Sequence, residues 1–134
     1  MRPAAVPPFR ALDPALASAE RLLASGLSTV VAALPDEPLA TARLNTLLAG
    51  LGVSPRLCPG QDGWRVVHVD ATGEPSELAT AAGGLVALVA VAGWSRIKPC
   101  ETCAEPFLDR TNGRTRRWCT RHRPRHRVLG VFLA

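Results

Sequence analysis

The stretch Cys100-Glu101-Thr102-Cys103-Ala104-Glu105-Pro106-Phe107-Leu108-Asp109-Arg110-Thr111-Asn112-Gly113-Arg114-Thr115-Arg116-Arg117-Trp118-Cys119-Thr120-Arg121-His122 decides how this chain is read. Two thiolates two residues apart can turn onto one ion in a tight knuckle. A second pair completes the tetrahedron that zinc prefers. Cys119 follows Cys103 with 15 residues between, and His122 follows Cys119 with two between. The pattern is C-x2-C-x15-C-x2-H, a zinc-finger spacing. Cys100, Cys103, Cys119 and His122 are therefore the expected ligands of one structural zinc ion, since four protein ligands leave no position for a reacting water. His126 is a rival fourth ligand, but Pro124 should disturb a helix carrying the more distant group. A thioredoxin-like redox pair at Cys100 and Cys103 lacks the βαβ setting of that chemistry and leaves Cys119 and His122 without a role.

Between the two pairs, Phe107 and Leu108 read as a strand and Asn112-Gly113 as a two-residue hairpin turn, with 115–118 as the return strand. Phe107 and Trp118 are the large apolar groups available for a small core. About 30 residues are too few to fold on apolar burial alone. Bound zinc supplies roughly 10–16 kcal/mol in peptides of this kind. The segment from 98 to 128 is read as a treble-clef or zinc-ribbon-like finger.

The finger also carries the charge. The chain of 134 residues has a net charge of +5. Residues 1–95 hold six Arg against eight acids, and residues 96–134 hold ten basic residues against Glu101, Glu105 and Asp109. All of the positive excess therefore lies beside the cysteines. Arg110, Arg114, Arg116 and Arg117 fall on the expected hairpin, and Arg121, Arg123, Arg125 and Arg127 alternate in the tail. Arginine forks suit phosphate oxygens and guanine edges. These eight are the expected nucleic-acid contacts, with DNA as the partner. Lys98 is the only lysine, a skew that a GC-rich genome alone would also produce.

Ahead of the finger, residues 11–97 read as a small, mostly helical domain with one β-hairpin, giving an α+β chain overall. Residues 1–10, with three prolines, read as a disordered lead-in with no secretory signal. Asp13-Pro14 is a helix start, and Leu16, Ala19, Leu23, Leu27 and Val30 continue an apolar stripe over 14–34, which Pro35 stops. Asp36 caps a second helix ended by Gly50 and Gly52, expected to pair antiparallel with the first. Strands are expected near 55–58 and 64–69, around turn chemistry at 59–63. Residues 78–94 carry no charge. They fall short of the ~20 apolar residues of a membrane span. They read instead as a central helix, with glycines and alanines letting neighbouring backbones come close. Cys58 reads as a small buried or half-buried thiol, and His68 as an exposed strand residue with a ligand contact as the alternative.

The finger residues resemble the CGNR-type zinc finger, the C-terminus of a bacterial family of stress-induced transcription regulators. Phe107-Leu108-Asp109, Asn112-Gly113 and Arg116-Arg117-Trp118-Cys119 carry the resemblance, and Leu44-Asn45-Thr46-Leu47-Leu48 looks like part of that family's N-terminal helical ABATE domain. The closing Cys-Gly-Asn-Arg of the family is absent, with His122-Arg123-Pro124-Arg125 in its place. The resemblance implies a cytoplasmic transcription regulator that binds DNA.

No nucleophile–base set or paired carboxylates point to an enzyme, and residues 104–118 contain no histidine for a nuclease. A protein-interaction adaptor clipped by zinc is the alternative function. The helical part could hold a small-molecule effector or form a homodimer that places two fingers on paired half-sites. No membrane partner is expected.

Overall fold

The computed structural model describes Phe9 and residues 12–61 and 63–122. The elements run α1 (Ala15–Leu22), α2 (Ser28–Val31), α3 (Glu37–Leu51), β1 (Ser54–Gly60), β2 (Gly63–Val69), α4 (Glu77–Ala92), a 3-10 turn (Trp94–Arg96), β3 (Ile97–Pro99) and β4 (Pro106–Leu108). Helices and two small antiparallel ladders, β1–β2 and β3–β4, make an α+β fold, as expected.

The single helix expected over 14–34 is two. Residues 23–27 turn between α1 and α2, where a Cβ on Gly26 would meet the terminal methyl of Leu78. The apolar stripe survives the break, because Leu16, Ala19, Leu23, Leu27 and Val30 are all buried in one core. Asp13 does not cap α1. Pro14 holds the cap position without a side-chain bond, and the Asp13 carboxylate instead accepts from Arg110 at 2.9 Å. Asp36 does cap α3, accepting from the Leu39 N–H, while Gly52 ends the helix at φ +65°. That left-handed position suits glycine. Gly50 lies within α3 rather than ending it.

Helix α4 is the central element. Ser76 caps it, and Ala79, Ala81, Ala82, Gly83, Gly84, Leu85 and Leu88 are buried. The expected pairing of the first two helices holds only for α2, which rests on α3; α1 packs chiefly on α4, and α3 rests on α4 as well. Two adjacent glycines explain this. A Cβ at Gly84 would lie 2.5 Å from the Ala15 carbonyl oxygen, so α1 and α4 touch backbone to backbone there. A Cβ at Gly83 would strike the His68 ring, so β2 leans on α4 through the same two-residue step. His68 is thus half-buried rather than exposed, and burial lowers its pKa.

No helix among the described residues is long and apolar enough to cross a membrane. The β1–β2 hairpin spans the predicted strands with register Leu57–Val66 and Pro59–Trp64, and Cys58 is half-buried. Phe9 lies in the stretch read as a lead-in, yet it is buried in the helical core. The other residues of 1–11 lie outside the described residues, as do 62 and 123–134.

Candidate metal centre

The finger starts where the 3-10 turn hands over to β3. Strands β3 and β4 pair as Ile97–Leu108, Lys98–Phe107 and Pro99–Pro106, and the first cysteine pair sits in the loop that joins them. Cys100 donates its N–H to the Glu105 carbonyl, and Ala104 donates to the Cys100 carbonyl. Ala104 takes φ +65° to close the knuckle. The Thr102 N–H points at the Cys100 sulfur at 3.4 Å. The second pair is a single turn, in which His122 N–H donates to the Cys119 carbonyl.

These two turns bring the four predicted ligands together. One donor atom from each of Cys100, Cys103, Cys119 and His122 lies within 4.8 Å of the others. The Cys103 and Cys119 sulfurs are 3.8 Å apart, and His122 Nδ1 is 3.9 Å from Cys100 Sγ and 3.1 Å from Cys119 Sγ. Thiolates at about 2.3 Å around a tetrahedral ion stand about 3.8 Å apart. The set therefore fits one metal ion. Cys100 and Cys119 are buried, and Phe107 packs with them beside the partly buried Trp118, forming the small core expected for the finger. His126, the rival ligand, lies outside the described residues.

The thiols are tuned unequally. Burial pushes the Cys119 thiol up, but the His122 N–H, the two neighbouring thiols and the Arg121 N–H outweigh it and bring the group down to about 7. Cys100 is also lowered: burial opposes ionisation, and the N–H groups of Cys119, Cys103 and Thr102 overcome it. At Cys103 the Glu105 N–H favours the thiolate, but burial and the two adjacent thiols together raise the pKa. A thiolate is the form that binds metal.

The expected return strand over 115–118 does not form. Two of its backbone donors are taken by side chains instead of a ladder. Thr115 N–H donates to the Thr111 hydroxyl, and Arg116 N–H to Asp109 Oδ2. The Asn112-Gly113 turn exists as a bend closed by Arg114 N–H to the Thr111 carbonyl, but the left-handed residue is Arg114, at φ +57°. Lys98 Nζ then ties the segment down, donating to Asp109 Oδ2 and to the carbonyls of Arg114 and Arg116.

The predicted nucleic-acid arginines divide in two. Arg110 pairs with Asp13 and Glu20 of the helical domain. Arg114 donates to Ser95 Oγ and to the Ala92 carbonyl at the end of α4. Arg116, its side chain only 12% exposed, bonds the carbonyls of Trp118 and Leu108, lies over the Phe107 ring and reaches Glu20. These three join the finger to itself and to the helices. Arg117 is exposed, paired at the surface with Glu101 and stacked on Trp118. Arg121 is exposed, 3.9 Å from Cys103 Sγ. Arg123, Arg125 and Arg127 lie outside the described residues.

Sequence reasoning missed the residues that hold this arrangement. Arg96 is buried, lies over Phe9 and donates to the carbonyls of Asp109 and Thr111. Lys98, Asp109 and Glu20 complete the framework. The one available signal was Asp109 within an otherwise apolar Phe-Leu-Asp run. A carboxylate among core formers needs donors. The hollows are modest. One of about 550 Å³ lies by Thr29, Ala42, Arg43, Thr46 and Leu47, and one of about 230 Å³ lies between α1 and the cysteine segment. Comparison of the chain with protein-family models gave no match, and comparison with curated proteins gave none.

Proposed function

We propose that this chain is a DNA-binding regulator whose finger is a CGNR-like module organised by one structural zinc ion. The observation that carries the reading is the coincidence of a closed Cys3His site with the basic excess of residues 96–134. Three thiolates and an imidazole in tetrahedral array favour zinc among common metals. The contact face is narrower than the full arginine set. Arg117 and Arg121 border the metal centre on the exposed side, and Arg123, Arg125 and Arg127 follow directly in sequence. Arg110, Arg114 and Arg116 serve the fold.

A second reading is the zinc-clipped protein-interaction adaptor. It is favoured by the same observation that narrows the DNA face: four of the five described candidate arginines have intramolecular partners, Arg110, Arg114 and Arg116 among them tying the segment to itself and to the helices.

One experiment separates the two. The chain purified under reducing conditions is expected to carry one zinc, lost in Cys119→Ser and in His122→Ala but retained in His126→Ala. Duplex DNA binding is then measured against salt, with and without chelator. Phosphate contacts give a log–log slope of about −0.9 per neutralised phosphate. Arg121→Ala should shallow that slope by about one unit, and chelation should abolish binding. A zinc-loaded chain with no salt-dependent DNA affinity favours the adaptor, and a chain without metal removes the finger reading.

A further inference from the structure

The three sulfurs of the metal centre are not equally placed. Cys100 and Cys119 are 3% and 8% exposed, whereas Cys103 is half-buried. The Cys100 sulfur also accepts the Thr102 N–H at 3.4 Å, a bond that ties up one of its lone pairs. Cys103 instead has the exposed Arg121 guanidinium beside it, with Nη2 standing 3.9 Å from Sγ. A thiolate that is open to solvent and flanked by a cation is the one an oxidant meets first.

A second sulfur stands within reach on the other turn. Cys119 Sγ is 3.8 Å from Cys103 Sγ. A closure of about 2 Å would join them. Arg121 and Cys119 both line the hollow of about 230 Å³ between α1 and the cysteine segment. A molecule little larger than water has ample room there. The hollow sets Glu20 and Glu105 against Arg21 and Arg121, so its charge balances. Balanced charge gives an anionic oxidant no advantage over a small uncharged one.

We propose that Cys103 is a site of reversible oxidation by hydrogen peroxide, resolved by Cys119 into a disulfide that dismantles the metal centre. It rests on the zinc-finger reading, since it opens the site on which that reading stands. The Cys103 thiolate attacks one peroxide oxygen. An S–O bond forms, the O–O bond breaks, and hydroxide leaves and takes a proton from solvent. Arg121 donates a hydrogen bond toward the departing oxygen, where negative charge develops. The Cys119 thiolate then attacks the Cys103 sulfur. An S–S bond forms, the S–O bond breaks, and a second hydroxide leaves and is protonated. Two thiolates, one peroxide and four protons, two of them already on the peroxide, become one disulfide and two waters. The cysteine pair loses two electrons and the peroxide gains them. Disulfide sulfurs are no longer thiolate donors, so Cys100 and His122 alone remain, too few for a closed zinc site. The new bond spans the same two turns, so the segment stays cross-linked and a dithiol reductant restores the ligands.

Peroxide treatment of the zinc-loaded full chain tests this, with released zinc followed by a chromogenic chelator. Zinc release is expected to accompany a Cys103–Cys119 disulfide, and dithiothreitol with added zinc should reverse both. Cleavage after Glu101 separates Cys100 from Cys103, so peptide masses identify the bridge. Cys103→His keeps a four-ligand set without the attacking sulfur and should slow release by about tenfold or more. Arg121→Ala keeps all four ligands and should slow release by about threefold, which keeps the test open if the histidine variant loads poorly. Cys58→Ser should respond as the parent chain does. A chain that purifies without zinc overturns the finger reading and this one with it. A chain that holds zinc and resists peroxide overturns this one alone. So does a bridge between any other pair of cysteines, or a release rate indifferent to both the Cys103 and the Arg121 variants.

Discussion

Asp109 gathers four donors on one fully buried carboxylate. Oδ1 accepts from the N–H and hydroxyl of Thr111, and Oδ2 from Lys98 Nζ and the Arg116 N–H. Burial alone would raise its pKa, but the Lys98 and Thr111 bonds outweigh it and lower the group from 3.8 to about 2. The folded form therefore holds its charge more tightly than the unfolded chain does. Its stabilisation is complete above about pH 4 and is lost as pH falls toward 2. Asp109→Asn, which leaves Lys98 without its counter-charge, should cost about 3 kcal/mol in denaturant unfolding of the metal-loaded chain and flatten the acid limb of its stability. A loss under 1 kcal/mol would show the carboxylate to be replaceable. At this scale the sequence was legible where chemistry is local. The Cys3His cluster follows from spacing, with Pro124 favouring His122 over His126, because each turn of two intervening residues aims its pair at one point. The roles of Arg96 and Arg110 were not legible, since their acceptors lie 13 or more residues away in the chain, and neither was the reach of Arg116 to Glu20.

Among the elements, the Gly83-Gly84 step decides how the helical domain closes. Gly84→Ala must push α1 off the Ala15 carbonyl, at a cost of about 1–3 kcal/mol by the measure of overpacked cores. Gly50, also helical, meets nothing within 4 Å. Gly50→Ala should instead stabilise by roughly 0.4–1 kcal/mol, by restricting the unfolded chain and favouring helix. Thermal unfolding of the two variants checks both signs, and equal effects would refute the close approach. The periodicity of residues 14–34 placed the buried side chains correctly and still missed the break, because a stripe of leucines specifies which side is inside but not whether the backbone turns at Ser25-Gly26. The return strand failed for a related reason. Strand formers at 115–118 compete with hydroxyl and carboxylate acceptors at Thr111 and Asp109, and the side chains take the donors.

Over the whole molecule, two apolar clusters stand side by side, one helical and one around the cysteines. Arg96, Arg110 and Arg116 join them to Phe9, Asp13 and Glu20. The finger has little core of its own, so metal removal should raise amide hydrogen exchange across residues 97–122 while α1 and α4 keep their protection. Equal loss of protection in α4 would mean that the ion holds the entire fold. The charge asymmetry along the chain was plain from composition. Its use was not, because net charge does not distinguish a guanidinium facing solvent from one bridging two layers.

Lys98 has all three ammonium protons committed to Asp109, Arg114 and Arg116. As the sole lysine, it leaves the described surface without a side-chain amine free of hydrogen-bond partners. Acetylation, the common way of erasing positive charge on a protein surface, therefore has no lysine handle there. Lys98 apart, the positive charge of residues 96–122 is carried by guanidinium groups, which lysine acetylation does not reach.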